Sequence, residues 1–136
     1  MDTGKSALGL DGNVAAALGY PIGIIAIISL IMEKENRFVK FHALQSILLH
    51  VVIMVVGFGL GILLFIIGIL LGIGATAAGS SAVGGLAGIF SLLSMLVWFA
   101  IFIAYIGGLI YGAVKAYQGS MFKLPIIGGM ADKWIK

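Results

Sequence analysis

The sequence contains no cysteine and very little charge. Without cysteine, the chain can form no disulfide, no Cys-ligated zinc site, no iron–sulfur cluster and no thiol nucleophile. Charged residues make up 10% of the chain and hydrophobic residues 62%, and the mean hydropathy is +1.23. These values lie outside the range of soluble globular domains. Residues 43–114 include no Lys, Arg, Asp or Glu, so we expect an integral membrane protein.

Sequence motifs of catalysis are absent as well. There is no carboxylate pair, HExxH, GxSxG or P-loop, and Ser80 and Ser81 lie in a Gly/Ala-rich stretch without a base at a predictable position. No carboxylate occurs between Glu35 and Asp132, which disfavours a coupled transporter that works alone. The net charge of +3 comes from basic residues beside the hydrophobic segments, where lipid headgroups would meet them. We therefore expect neither an enzyme nor a nucleic-acid-binding protein.

The hydrophobic segments predict an all-α integral membrane fold with three transmembrane helices in a single domain. The spans cover about residues 13–32, 38–72 and 86–117. Helices are expected because an open strand in hydrocarbon leaves its backbone groups unpaired. The second and third spans exceed the roughly 20 residues of a simple crossing, so they must tilt or protrude.

The connecting segments predict where the chain turns. Residues 72–85, "GIGATAAGSSAVGG", are small, flexible and uncharged, which is typical of a turn at the membrane surface. Residues 33–37, "EKENR", predict a tighter turn in which Asn36 caps an amphipathic start of the second helix. Residues 118–136 are too short and too charged for a fourth span. Because Trp134 suits the membrane surface, we expect this tail to lie at the interface.

The distribution of basic residues predicts the orientation. With three spans, the face that holds the N-terminus and the Gly/Ser turn carries only Lys5. The opposite face holds the residues expected to contact lipid headgroups, which are Lys34, Arg37, Lys40, Lys115, Lys123, Lys133 and Lys136. The positive-inside rule then places the C-terminus in the cytoplasm and the N-terminus outside, in a prokaryotic inner membrane.

Small residues at every fourth position predict helix packing, because lipid gives helices no hydrophobic drive to associate and close backbone approach must supply it. Such residues recur in all three spans: Ala15, Gly19, Gly23, Gly57, Gly61, Gly68, Gly72, Ala100, Ala104, Gly108, Gly112 and Ala116. The last five form the longest run. We expect at least one of these faces to contact another copy of the chain or another membrane protein.

Four polar residues near the start of the second span form a candidate site. At about 100° per residue, His42, Gln45 and Ser46 share one arc of the helix, and His50 lies just beyond it. One interpretation is that they hydrogen-bond to neighbouring helices, each bond contributing about 1 kcal/mol. An alternative is that His42 or His50 ligates a haem or a chlorophyll-type pigment. Bis-His ligation requires histidines on facing helices, however, so no cofactor or metal is predicted.

Two short segments resemble a known family. "ENRFVKFHALQSILL" (Glu35–Leu49) and "KLPIIGGMADKWIK" (Lys123–Lys136) are similar to the small prokaryotic Tic-twenty-like family, a domain of unknown function whose relatives by resemblance include MamF-type magnetosome membrane proteins. A more distant relative by resemblance is the channel component of chloroplast inner-envelope protein import, which is drawn with four spans. The residues that fall on the motif are Phe38, Lys40, Phe41, His42, Gln45 and Ser46. The resemblance implies a non-enzymatic helical membrane protein and gives these residues no chemical role.

These observations favour a multi-span membrane protein that works by helix packing. It would be an accessory or scaffold subunit of a membrane complex, or a homo-oligomer, with lipids and other membrane subunits as partners. One alternative is a component of a translocation pore, in which several chains enclose the path. A further alternative is a membrane subunit that binds haem or pigment through its histidines.

Overall fold

The computed structural model describes residues 3–135 and confirms the all-α prediction for that part of the chain. Its helices are α1 (Gly12–Leu18), α2 (Gly23–Met32), α3 (Arg37–Ala78), α4 (Ser81–Tyr117) and α5 (Ile127–Trp134). The chain forms two compact units. The first comprises the chain up to Val52 together with the chain from Tyr105 onward, and the second comprises Ile53–Ala104.

The first predicted span is not one helix. It is divided into α1, with 7 residues, and α2, with 10 residues. The break follows from Pro21, which has no N–H to donate and disfavours helical geometry in the residue before it. At 1.5 Å per residue the two helices are about 10 and 15 Å long, and neither reaches across a hydrocarbon core of about 30 Å.

The N-terminal segment returns to the turn that follows α2. Asn36 donates from Nδ2 to the carbonyls of Thr3 (2.7 Å) and Lys5 (3.2 Å). Glu33 Oε2 accepts from the backbone N–H of Ala7 at 2.7 Å. Lys5 therefore lies at the same end of the first unit as residues 33–37, and the predicted transmembrane span between them is not confirmed. The physical reason is the break at residues 19–22, which lets α1 and α2 form a hairpin.

The second and third predicted spans lie within α3 and α4. These helices have 42 and 37 residues, which corresponds to about 63 and 55 Å. Both are long and apolar enough to cross a membrane. Asn36 caps α3 as expected, with its Oδ1 accepting from the backbone N–H of Val39 at 3.2 Å.

The broad turn predicted at residues 72–85 is wrong in extent. Helix α3 continues through Ala78 and α4 begins at Ser81, so only Gly79 and Ser80 lie outside helices. The alanines in "ATAA" favour helix, and their high helix propensity outweighs the low propensity of the neighbouring glycines. Gly79 has a φ of +54°, a conformation that favours glycine and ends α3.

In the second unit, the pairing of α3 with α4 involves three of the predicted small residues. The indole of Trp98 lies over Gly57 and Gly61, where added β-carbons would be 3.6 and 3.4 Å from the ring. The ring of Phe90 lies over Gly68 in the same way, at 3.8 Å, whereas Gly72 has nothing within 4 Å. These contacts place bulky aromatic side chains against helix faces without side chains.

The run of small residues along α4 is divided between the two units. In the first unit, Gly108 contacts the side chain of Leu49, Gly112 contacts the ring of Tyr20, and Ala116 is fully buried. In the second unit, Ala100 and Ala104 are exposed. The run therefore packs inside the chain over its C-terminal half only.

The hairpin of α1 and α2 uses its own small residues. Gly19 approaches Ala26, with an added β-carbon 3.4 Å from the alanine Cβ, and Ala15 is buried. Gly23 lies beside the imidazole of His50, 3.9 Å from its Nε2 by the same measure. All of these contacts belong to the first unit.

We predict that Gly112→Ala destabilises the protein. A β-carbon at this position overlaps the Tyr20 ring, and overpacking of this kind typically costs about 1–3 kcal/mol. The measurement is thermal unfolding of the purified protein in mild detergent. The matched control is Gly107→Ala, since Gly107 is exposed on the same helix with nothing within 4 Å of an added β-carbon. An equal melting temperature for Gly112→Ala and wild type would contradict the Tyr20 contact.

Candidate functional site

The polar residues singled out from the sequence lie on the buried face of the first turns of α3. His42, Gln45 and Ser46 are each 0% exposed. Their spacing of three and four residues brings them onto one side of the helix. Together with Tyr20 they form what we call the polar cluster. It faces two stretches of non-helical backbone, residues 19–20 and residues 120–124.

His42 is hydrogen-bonded at both ring nitrogens. Its Nε2 lies 3.0 Å from the carbonyl oxygen of Ser120, and its Nδ1 lies 3.0 Å from the hydroxyl of Tyr20. A carbonyl oxygen can only accept, so Nε2 carries the proton and donates it. The Nδ1 atom then accepts from the Tyr20 hydroxyl. The rings of Phe38 and Phe41 lie 4.7 and 5.1 Å from the imidazole and complete its surroundings.

Gln45 connects the same hydroxyl to the C-terminal segment. Its Nε2 donates to the Tyr20 hydroxyl oxygen at 2.6 Å and to the carbonyl of Phe122 at 3.2 Å. Its Oε1 accepts from the backbone N–H of Leu124 at 2.9 Å. The Tyr20 hydroxyl thus accepts from Gln45 and donates to His42. Gly128 allows this approach, because a β-carbon there would overlap Oε1 of Gln45.

Ser46 donates a hydrogen bond to the backbone at the break between α1 and α2. Its Oγ donates to the carbonyl of Gly19 at 2.8 Å. At the end of a helix, carbonyls lose the N–H partners that a further turn would supply. Ser46 supplies such a partner from α3, so the break is hydrogen-bonded although it is buried.

His50 lies one turn further along α3 and does not join the polar cluster. Its Nδ1 lies 2.8 Å from the carbonyl of Ser46, and its ring meets the ring of Tyr105 edge-on at 5.7 Å. The bond to a carbonyl requires the proton on Nδ1. Among the described residues, Nε2 of His50 has no hydrogen-bond partner, and the ring is half-buried.

The haem or pigment alternative fits poorly at His42. Ligation requires a free imidazole nitrogen, and both nitrogens of His42 already bond to Tyr20 or Ser120 within a fully buried site. His50 has one nitrogen with a lone pair to offer. Within residues 3–135, no group of three or more His, Asp or Glu side chains is arranged to hold a metal ion.

Two of the basic residues predicted to contact lipid headgroups form ion pairs with Asp132. Arg37 Nη2 lies 2.9 Å from Oδ1 of Asp132, and Lys123 Nζ lies 2.8 Å from Oδ2. The hydrogen bond from Lys123, with the positive charges of Lys123 and Arg37, lowers the pKa of Asp132 from its ordinary value of 3.8. These pairs join the start of α3 to the C-terminal segment.

The remaining basic residues are placed in different ways. Lys34 and Lys133 are exposed and Lys40 is half-buried. Lys115 lies over the ring of Tyr111, 5.6 Å from its centroid. Lys136 lies outside the described residues.

Sequence reasoning missed the partners of His42 and Gln45. Tyr20 and the backbone of Ser120, Phe122 and Leu124 lie 22 to 79 residues away from the side chains they bond to. One signal was available, since Pro21 predicts a helix break whose carbonyls need donors. No comparable signal indicates that the C-terminal segment packs against α3.

Comparison with known proteins is decisive for the family. Residues 7–131 match the magnetosome magnetite crystal formation protein family. The chain belongs to this family. The match confirms the resemblance drawn from the segments around His42 and Pro125.

Curated relatives of this family member are UPF0132 membrane proteins of archaea. One from Methanocaldococcus jannaschii is 36% identical over 133 residues, covering 96% of this chain and 94% of the relative. One from Archaeoglobus fulgidus is 35% identical over 124 residues, covering 90% and 94%. A second from M. jannaschii is 30% identical over 131 residues, covering 96% and 74%. No solved structure matches significantly. These relatives, together with the two long apolar helices, show that the chain is a membrane protein.

We predict that Gln45→Leu destabilises the first unit and loosens its C-terminal segment. The substitution leaves the buried N–H of Leu124 without its acceptor, which costs about 1–3 kcal/mol. Thermal unfolding and limited proteolysis after Lys123 measure the two effects. The matched control is Gln118→Leu, because Gln118 is exposed. Wild-type protection of the C-terminal segment in Gln45→Leu would show that the bond to Leu124 contributes little.

Proposed function

We propose that the chain is a non-catalytic structural subunit that assembles with copies of itself or with other membrane proteins. The observation that carries this proposal is the divided run of small residues on α4. Gly108, Gly112 and Ala116 are covered by the chain's own side chains, while Ala100 and Ala104 continue the same spacing and are exposed. The part of this packing face at Ala100 and Ala104 is therefore available to another helix.

The surroundings of the two alanines support this role. Leu96, Phe99 and Ile103 are between 53% and 62% exposed. These bulky side chains border the strip of small residues formed by Ala100 and Ala104. In lipid, apolar side chains alone give no drive to associate, whereas small residues let backbones approach closely. The strip around Ala100 and Ala104 is the part of α4 that offers this contact.

The names of the archaeal relatives support a membrane role. The family description names magnetosome magnetite crystal formation as the process of the family, and the archaeal relatives are named only as membrane proteins. For this chain we propose the structural membrane role alone. The residues of the polar cluster bond to one another and to the chain's own backbone, so they hold the fold rather than present reactive atoms.

We further propose two full crossings, by α3 and α4, with α1 and α2 as a re-entrant hairpin in place of the first span. Non-helical backbone at membrane depth is tolerated where protein buries it, as at Gly19 and Ser46. The N-terminal segment, the turn at residues 33–37 and the C-terminal segment then share one side. Every Lys and Arg of the sequence lies outside residues 43–114, so the positive-inside rule places this side in the cytoplasm of a prokaryotic inner membrane.

We propose that the C-terminal segment lies at the membrane interface. Helix α5 buries Ile127, Gly128 and Ala131 against the first unit. Trp134, 63% exposed, and Lys133 lie exposed at its C-terminal end. An exposed indole ring and an ammonium group at neighbouring positions suit the headgroup region.

Single cysteines test the topology, because the natural chain has none. We expect Ala7→Cys and Gln118→Cys to resist a membrane-impermeant thiol reagent added to intact cells, and Ser81→Cys to react with it. All three positions are exposed in the structure, so labelling after lysis provides the control. Labelling of Ala7→Cys by the reagent added to intact cells would contradict this topology and support three spans.

Substitution of the exposed alanines tests the assembly. We expect wild-type protein in mild detergent to run as an oligomer or with a partner, and Ala100→Leu with Ala104→Leu to shift it to the size of a monomer. The matched control is Ala77→Leu with Ala82→Leu, which adds the same bulk at exposed alanines outside the run. An unchanged size for the first pair would refute the packing role, with the melting temperature checking that both proteins fold.

A further inference from the structure

An open cavity lies at the end of the first unit where its N-terminal segment meets the turn after α2. Its volume is about 1130 Å³. One part of the wall is polar, with Lys5, Glu33, Lys34 and Ser120, and another part is apolar, with Met32 and Phe38 among its residues. Such a mixed wall at the end of apolar helices suits a molecule with a polar head and an apolar remainder.

Glu33 is the unusual group in this wall. It is only 7% exposed, and its oxygens accept from the backbone N–H groups of Ala7 (2.7 Å) and Asn36 (3.2 Å). No described Lys, Arg or His pairs with it, whereas Asp11 pairs with Lys5 at 2.6 Å. Buried carboxylates are normally paired with a cation. A carboxylate with spare lone pairs at the edge of a cavity favours a cationic ligand that donates hydrogen bonds.

The neighbouring residue supplies the opposite charge. Lys34 is exposed, lines the same cavity and has no ion-pair partner among the described residues. A carboxylate and an ammonium on adjacent residues match a ligand that carries a cation and an anion a few bonds apart. A primary ammonium suits Glu33 because it donates hydrogen bonds, and a phosphate suits Lys34.

We propose that this cavity binds a phosphoethanolamine group, with its ammonium at Glu33 and its phosphate near Lys34. Its source is a phospholipid headgroup, because Met32 and Phe38 continue the wall toward the apolar helices. This source rests on the topology proposed above, which places residues 33–37 at a membrane surface. The chemical assignment at Glu33 depends on the cavity alone.

The first test uses the wild-type protein and two lipids with identical acyl chains. Phosphatidylethanolamine donates N–H hydrogen bonds and phosphatidylcholine does not. We expect the former to bind about tenfold more tightly, the value of one charge-assisted hydrogen bond, as measured by native mass spectrometry during stepwise lipid removal. Equal retention of the two lipids would overturn the proposal.

The second test assigns the preference to Glu33. We expect Glu33→Gln to abolish the preference for phosphatidylethanolamine, and Glu35→Gln, at the neighbouring exposed carboxylate, to keep it. A preference that survives in folded Glu33→Gln would place the site elsewhere. If Glu33→Gln fails to fold, the comparison of the two lipids on the wild-type protein still tests whether the cavity prefers phosphatidylethanolamine.

Soluble headgroups separate the two sources of the ligand. We expect phosphoethanolamine, compared with phosphocholine, to raise the melting temperature of the wild-type protein only weakly, because it lacks the apolar part. If soluble phosphoethanolamine raised the melting temperature as much as the lipid does, the ligand would not have to be a lipid. The assignment of its ammonium group to Glu33 would still hold. Because this readout compares ligands on one and the same preparation, whatever its oligomeric state, it is independent of the assembly experiment.

Discussion

The fold depends on hydrogen bonds from one face of α3 to backbone that has left helical geometry. Two non-helical stretches, at residues 19–20 and 120–124, bond to the buried residues of this face. A buried backbone group left unpaired costs about 1–3 kcal/mol. Gln45 and Ser46 supply donors and an acceptor to these stretches. The polar side chains thus permit irregular backbone in a chain whose composition otherwise demands regular helices.

Different interactions stabilise the interior of each compact unit. In the first, hydrogen bonds fix segments that are distant in the sequence, and small residues such as Gly112 and Gly128 allow close approach. In the second, no buried polar cluster is present among its residues, and aromatic rings lie on glycines, as Trp98 does on Gly57 and Gly61. Lipid supplies no drive for either arrangement, so both rely on close fit. The same physical rule explains why glycine occurs so often in a chain with so few turns.

Sequence reasoning predicted the features that follow from local periodicity and composition. It placed the two long helices, the cap at Asn36 and a shared face for His42, Gln45 and Ser46, because each depends on neighbours within a few residues. It failed at Pro21, where hydropathy alone suggested a continuous span although proline interrupts the helix. It also overestimated the turn after α3, since the alanines there extend the helix to Ala78. The partners of His42 were beyond reach, because no local pattern indicates which distant carbonyl a side chain contacts.

The bond between Gln45 and Leu124 joins residues that are 79 positions apart. During synthesis, α3 enters the membrane long before the segment that satisfies its buried amide has left the ribosome. For that interval the amide must bond to water, to lipid headgroups or to a chaperone. The first unit therefore completes its folding only after residues 120–124 have left the ribosome, and a chain that stops short of residue 124 exposes polar groups that quality control in the membrane can recognise.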